Sequence, residues 1–232
     1  MPGCLKKTLF ASAAIISFAS FIVIVVAMGT PKWMTGTILC KTGAELVNAT
    51  DPELVKFIGE ISYGLFRGGK IRQCGLGGRR SKFTIFPHMV KKLNTALHVM
   101  IIMFLCVAIL FSLVSFGFCI LNTIKVPYRA IKGPAGLCLW NFLAGGCIVL
   151  GVTSFMAAVK LHHLTERIAN FRENVFQFVI LEEQFEDCFW LCVASATAHA
   201  VNLLLIAISG INFPEIKTKS EEANVTAEDI MY

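Results

Sequence analysis

Charge is scarce in this sequence and absent from long parts of it. Asp, Glu, Lys and Arg make up 16% of the 232 residues, against about 25% in soluble domains. Catalytic signatures are missing as well. The glycine-rich stretch 64–80, GLFRGGKIRQCGLGGRR, lacks the K-[ST] that closes a phosphate loop. Its nearest fit to a dinucleotide fingerprint, Gly75 to Gly78, runs into Arg79 and Arg80 with no apolar helix behind it. There is no nucleophile elbow, no H-E-x-x-H and no cysteine cluster at metal-ligand spacing. His163 and Glu166 stand at i,i+3, but two ligands leave a zinc site incomplete, and His162 points about 100° away. No cofactor is implied, and an enzyme is not expected.

What is present is apolar: 56% of residues are hydrophobic. Four stretches carry no charged residue at all: Thr8 to Pro31, Asn94 to Ile124, Gly133 to Val159 and Cys188 to Pro214. Twenty helical residues extend roughly 30 Å, the thickness of one bilayer core. Each stretch therefore reads as a transmembrane helix, greasy on every face because lipid surrounds it. The first has the look of a signal peptide, with Lys6 and Lys7 ahead of it and Ala27-Met28-Gly29 behind. Its apolar run exceeds the usual 7–15 residues, so it is expected to stay. Under this reading the net charge of +6 belongs to headgroups or proteins, not to nucleic acid.

The expected layout follows. It has a cytoplasmic N-terminus over 1–7, spans over 8–28, 97–121, 135–159 and 188–211, and an outer first loop over 29–96. An inner hairpin covers 122–134, an outer second loop 160–187 and a cytoplasmic tail 212–232. Orientation rests on competing signals. The first loop holds most of the cations, which by bulk count favours the inside, but the rule weakens beyond about 60 residues. In favour of the outside are the sequon Asn48-Ala49-Thr50 and the loop's two cysteines, Cys40 and Cys74, which can pair in an oxidising compartment. The hairpin with Lys125, Arg129 and Lys132 then lies inside.

Further features fall on this frame. SYGLF, KIRQC and KFTIF read as short strands separated by glycine-rich turns. Leu161, Leu164, Ile168, Phe171, Val175 and Phe178 step by three and four, so the third span is expected to continue as a helix beyond the bilayer. His98, Asn141, His199 and Asn202 lie within the spans and are expected to face the bundle interior, bonding between helices. An ion or proton path is the sharper alternative. Cys4, Cys119 and Cys138 sit near the inner face, as palmitoylation sites or as free thiols. The terminal Ile230-Met231-Tyr232 fits a strand added to a PDZ scaffold.

Trp33 follows Gly29-Thr30-Pro31, Gly64-Leu65-Phe66 comes next, and Cys74 stands ten residues after Gly64. This order resembles the claudin-like tetraspan group, although Phe66 replaces the group's Trp and its close cysteine pair is absent. LCKTG, LVNAT, YGLF, RQCGLG, HHLTERIAN and the final Met-Tyr resemble clarin segments in clarin order, over nearly the whole chain. The resemblance implies an all-α membrane protein, a claudin-like four-transmembrane-helix bundle with a small extracellular β-sheet in the first loop. It also implies a multi-pass plasma-membrane protein of hair-cell stereocilia, needed for hearing. Such a protein would organise a membrane complex with protein partners in the lipid bilayer, linked to actin-based bundle upkeep and mechanotransduction. An auxiliary subunit of an ion channel is the alternative.

Overall fold

The computed structural model describes residues 2–75, 77–85, 95–124 and 133–210. Its backbone is four long helices: α1 (Pro2–Gly29), α4 (Thr95–Ile124), α5 (Pro134–Lys160) and α7 (Asp187–Gly210). Between α1 and α4 come β1 (Met34–Cys40), the short helices α2 (Lys41–Leu46) and α3 (Asp51–Leu54), a 3₁₀ turn at Val55–Phe57, then β2 (Ile58–Tyr63), β3 (Arg67–Gln73) and β4 (Gly78–Thr84). Between α5 and α7 lie α6 (Leu164–Ala169) and β5 (Phe178–Phe185).

Each long helix contains a segment long and apolar enough to cross a membrane: Leu5–Gly29, Thr95–Ile124, Pro134–Lys160 and Asp187–Ser209. α5 starts cleanly because Pro134 supplies no N–H where a first helical turn has none to bond. α1 packs on α4 and α7, and α5 packs on the same two, so the helices form a ring in the order α1, α4, α5, α7. Ile15, Leu110, Phe142 and Leu204 are each at least 60% exposed and point away from the ring. In water such an array is an aggregation surface; in hydrocarbon it is the ordinary exterior of a bundle.

All five strands form one antiparallel sheet in the order β4-β3-β2-β1-β5. The expected strands of the first loop are there, but the sheet is larger than that loop. β5 comes from the second loop and pairs along β1, from Met34↔Phe185 to Cys40↔Phe178. The expected helical extension of the third span is therefore corrected. α5 ends at Lys160, His163 turns left-handed at φ 48°, and α6 lasts six residues before Arg172 turns left-handed again at φ 59°. The apolar stripe is divided accordingly: Leu164 and Ile168 are buried on α6, Phe178 is buried as the first residue of β5, while Leu161 and Val175 are exposed. The strand that follows, β5, satisfies the open edge of β1, which a helix cannot do.

Candidate functional site

Two places bring together the chemistry-bearing residues: the joint between sheet and bundle, and a polar layer inside the bundle. The joint centres on Trp33. Its side chain is fully buried, Nε1 donates to the Ala27 carbonyl at 2.7 Å, and the ring meets Phe155 edge-on with centroids 5.0 Å apart. Its backbone N–H donates to the Tyr63 carbonyl at 3.0 Å, and its carbonyl accepts from the Glu186 N–H at 3.0 Å. One residue thus ties the end of α1, strand β2 and the start of α7. Gly64 is needed where it stands, because a Cβ there would meet the Thr30 carbonyl and Pro31. Leu65 is fully buried, and His98 at the top of α4 donates from Nε2 to its carbonyl at 2.8 Å. The Phe66 carbonyl accepts from the Ile85 N–H at 2.8 Å. The Trp33 and Gly64-Leu65-Phe66 pattern is therefore the hinge-plate between sheet and membrane helices.

A disulfide joins Cys40 to Cys74, with Cα atoms 5.5 Å apart, and links the end of β1 to the loop after β3. Asn48 is exposed in a turn after α2, at φ 46°.

The bundle interior is apolar at both ends and polar between them. One apolar cluster holds Ile24, Ile101, Leu105, Ile148 and Phe155 and runs up into the sheet; the other holds Phe10, Ala13, Cys119, Leu137 and Ile206. Between them Ser17, Ser112, Ser115, Asn141, His199 and Asn202 are all fully buried. His199 Nδ1 stands 2.9 Å from Asn141 Oδ1, and Nε2 stands 3.0 Å from the Ser112 hydroxyl. The amide oxygen can only accept, so Nδ1 carries the proton and Nε2 accepts from Ser112. Asn141 donates from Nδ2 to Ser115 at 2.7 Å, and Asn202 donates to Ser17 at 2.9 Å and to the Ala13 carbonyl at 3.1 Å. All four long helices contribute. The spacing of Gly145 permits it, since a Cβ there would stand 3.3 Å from the His199 Cβ.

The four intramembrane residues singled out by sequence thus divide: Asn141, His199 and Asn202 come together, while His98 serves the sheet joint. Cys119 is fully buried, and Cys138 is half-buried, so Cys119 offers no accessible thiol for acylation. Ile230, Met231 and Tyr232 lie outside the described residues, as do Lys125, Arg129 and Lys132.

Sequence reasoning missed the sheet's buried cation. Lys70 is 8% exposed; its Nζ donates to the Ala169 carbonyl at 2.9 Å and to Glu173 at 2.6 Å, and Arg72 meets the same carboxylate at 3.0 Å. Two cations on alternate positions of β3 share one face, and that spacing was the available signal. Tyr63 is likewise buried and donates to Thr165, 2.8 Å away, which donates to Glu183 at 2.9 Å.

Comparison with known proteins gives the family. A family profile described as Clarin-2-like matches residues 5–206. The chain is 65% identical to Clarin-2 of Mus musculus and to Clarin-2 of Homo sapiens, in each case over the full length of both proteins. It is 41% identical to human Clarin-1, again over both full lengths. Four membrane-length helices, a sheet built from both large loops and a match spanning almost the entire chain lead to one assignment: this protein is a member of the clarin family, a tetraspan membrane protein rather than an enzyme.

Proposed function

We propose that the protein organises a membrane complex at hair-cell stereocilia and serves hearing through upkeep of the actin-based bundle. The observation that carries this reading is mechanical. Both large loops are merged into one five-stranded sheet, Trp33 and His98 hold that sheet to the helices, and the Cys40–Cys74 bridge ties the end of β1 to the loop after β3. A platform seated this way can transmit a lateral or pulling load from a partner to the bilayer without local unfolding.

In this reading the sheet lies outside and both termini are cytoplasmic. The exposed turn at Asn48 supports that placement, because a sequon in a surface turn is open to a glycosyltransferase. The disulfide supports it too, since such bonds persist in oxidising compartments. Ile230-Met231-Tyr232 then supplies an inner contact to a PDZ scaffold.

The test is a tagged protein expressed in hair cells, with and without residues 230–232. Loss of bundle enrichment and of scaffold recovery on deletion is the expected result. Unchanged localisation and unchanged partners would remove the scaffold link. Altered channel currents on co-expression, with bundle structure intact, would replace the organiser role by that of a channel subunit. Glycosidase treatment of wild type and Asn48→Gln checks the sidedness separately.

A further inference from the structure

On the side of the sheet that faces α6, two adjoining cavities of about 410 Å³ and about 260 Å³ meet at Arg72. Lys70, Arg72, Lys82 and Arg172 line the larger one and Arg79 the smaller, so five cations face a single carboxylate, Glu173. That carboxylate is already shared between Lys70 and Arg72. Among the described residues Arg79, Lys82 and Arg172 have no carboxylate partner. Residues 86–94, which follow the sheet, contain no Asp or Glu.

The strand register sharpens the imbalance. Arg72 and Arg79 are directly opposed across β3 and β4. Like charges at opposed positions destabilise a sheet, and here they stand on the same face. Arg72 Nε is also buried with no hydrogen-bond partner. Arg172 holds a left-handed backbone, uncommon for a non-glycine residue, at the far wall of the groove. An anion placed between the guanidiniums relieves the repulsion.

We propose that this groove binds a sulfated polysaccharide. Sulfate suits the paired guanidiniums, whose planar forks give two parallel charge-assisted bonds. The remaining lining favours a sugar chain over a lipid. Phe83 and Phe171 line the larger cavity and Phe176 the smaller, together with the cations. Sugar rings present C–H faces to the negative faces of aromatic rings, whereas acyl chains need a continuous apolar slot. Lys70 and Arg72 are two residues apart on one face of β3, roughly 7 Å, and Arg79 of β4 stands beside Arg72 on the same face, so the cations suit an extended polyanion better than one isolated ion. The inference rests on the outward placement of the sheet, where such chains are met.

The experiment uses the full chain in nanodiscs of zwitterionic lipid, with a heparin oligosaccharide as the probe at physiological salt. Arg79→Gln with Arg172→Gln is expected to weaken binding about tenfold or more. Arg80→Gln with Lys56→Gln removes the same charge elsewhere; Arg80 alternates to the opposite face of β4, and the change is expected to stay within about twofold. In the wild type, heparin is expected to shield Arg79 but not Arg80 from a guanidinium-modifying reagent, a readout independent of any variant's folding. Absence of heparin binding overturns the proposal. So do equal binding of an unsulfated glycan, equal loss in both double variants, or preference for anionic-lipid discs or an acidic peptide. Nanodiscs expose both faces, so failure here falls on the groove, while sidedness is judged by the Asn48 carbohydrate shift.

Discussion

His199 donates from Nδ1 to the Asn141 side chain, 2.9 Å away, across the middle of the helix bundle. Neither residue has water to fall back on, and each also bonds a serine on α4. Side-chain hydrogen bonds between membrane helices are worth about 0.6 kcal/mol on average and about 1.7 at most. The apolar clusters above and below the layer must supply most of the cohesion, and the polar layer fixes which helix faces meet.

A double-mutant cycle measures this. His199→Ala, Asn141→Ala and the pair are expected to show a coupling of about 0.6–1.7 kcal/mol in reversible denaturation in mixed micelles. Purely additive losses would mean that the two residues stabilise the bundle independently, which the shared bond forbids. An unaltered ion flux in His199→Ala accompanies this structural role; a changed flux would move the layer to the transport alternative.

Trp33 is the larger anchor by area. Truncating a buried Trp to Ala costs about 3–5 kcal/mol. Trp33→Phe keeps ring contact with Phe155 but removes the Nε1 donor from the Ala27 carbonyl, which keeps only the longer bond from the Thr30 N–H at 3.4 Å, for about 1 kcal/mol. Thermal melts in detergent should therefore rank wild type above Phe above Ala. An Ala variant that melts with wild type would show that the sheet does not depend on this joint.

The four helices were legible because lipid sets so strict a condition: a run of about twenty residues without charge has almost no other use. Cys40 and Cys74 were legible as the first loop's two cysteines, and the Trp33 and Gly64-Leu65-Phe66 order carried the family. β5 was not, for a specific reason. The helical stripe over 161–178 overlaps β5 only at Phe178, and residues 178–185 become a strand because the free edge of β1 offers backbone bonds that periodicity cannot register. Lys70 was hidden for the same kind of reason. A lysine among glycines reads as solvated until Glu173, about a hundred residues later, arrives to pair with it.

That pairing makes an uneven prediction. Glu173→Ala leaves Lys70 buried without its counter-ion, a change that costs about 3–5 kcal/mol in comparable buried pairs. Glu173→Ala combined with Lys70→Met removes the stranded charge and should recover much of the loss. The comparison is a detergent melt of each single variant and the pair. A double variant no better than Glu173→Ala would show that the ion pair is not what holds β3 against the segment after α6.

Closing the loop between Cys40 and Cys74, 34 residues apart, contributes about 3–4 kcal/mol in the chain-entropy account. Cys40→Ser should lower the melting temperature and expose one new thiol, at Cys74, to alkylation under non-reducing conditions. If Cys74 already reacts in the wild type, the bridge is open.

Tyr63 gives the fold a dependence on alkaline pH. Burial raises the pKa of its hydroxyl above the ordinary 10, opposed by the Thr165 hydrogen bond and reinforced by the charge of Glu183. A group that holds its proton more tightly when folded contributes its stability in full below the unfolded value. That contribution declines as pH rises past about 10. Tyr63→Phe cannot ionise, so its melting temperature should fall less steeply between about pH 10 and pH 11. At neutral pH the same variant loses one hydrogen bond to Thr165, about 1 kcal/mol, while Thr165 keeps its bond to Glu183. The two effects have opposite signs, so the melting curves of wild type and variant converge as pH climbs. Parallel curves over that interval would mean that Tyr63 reaches water in the folded protein.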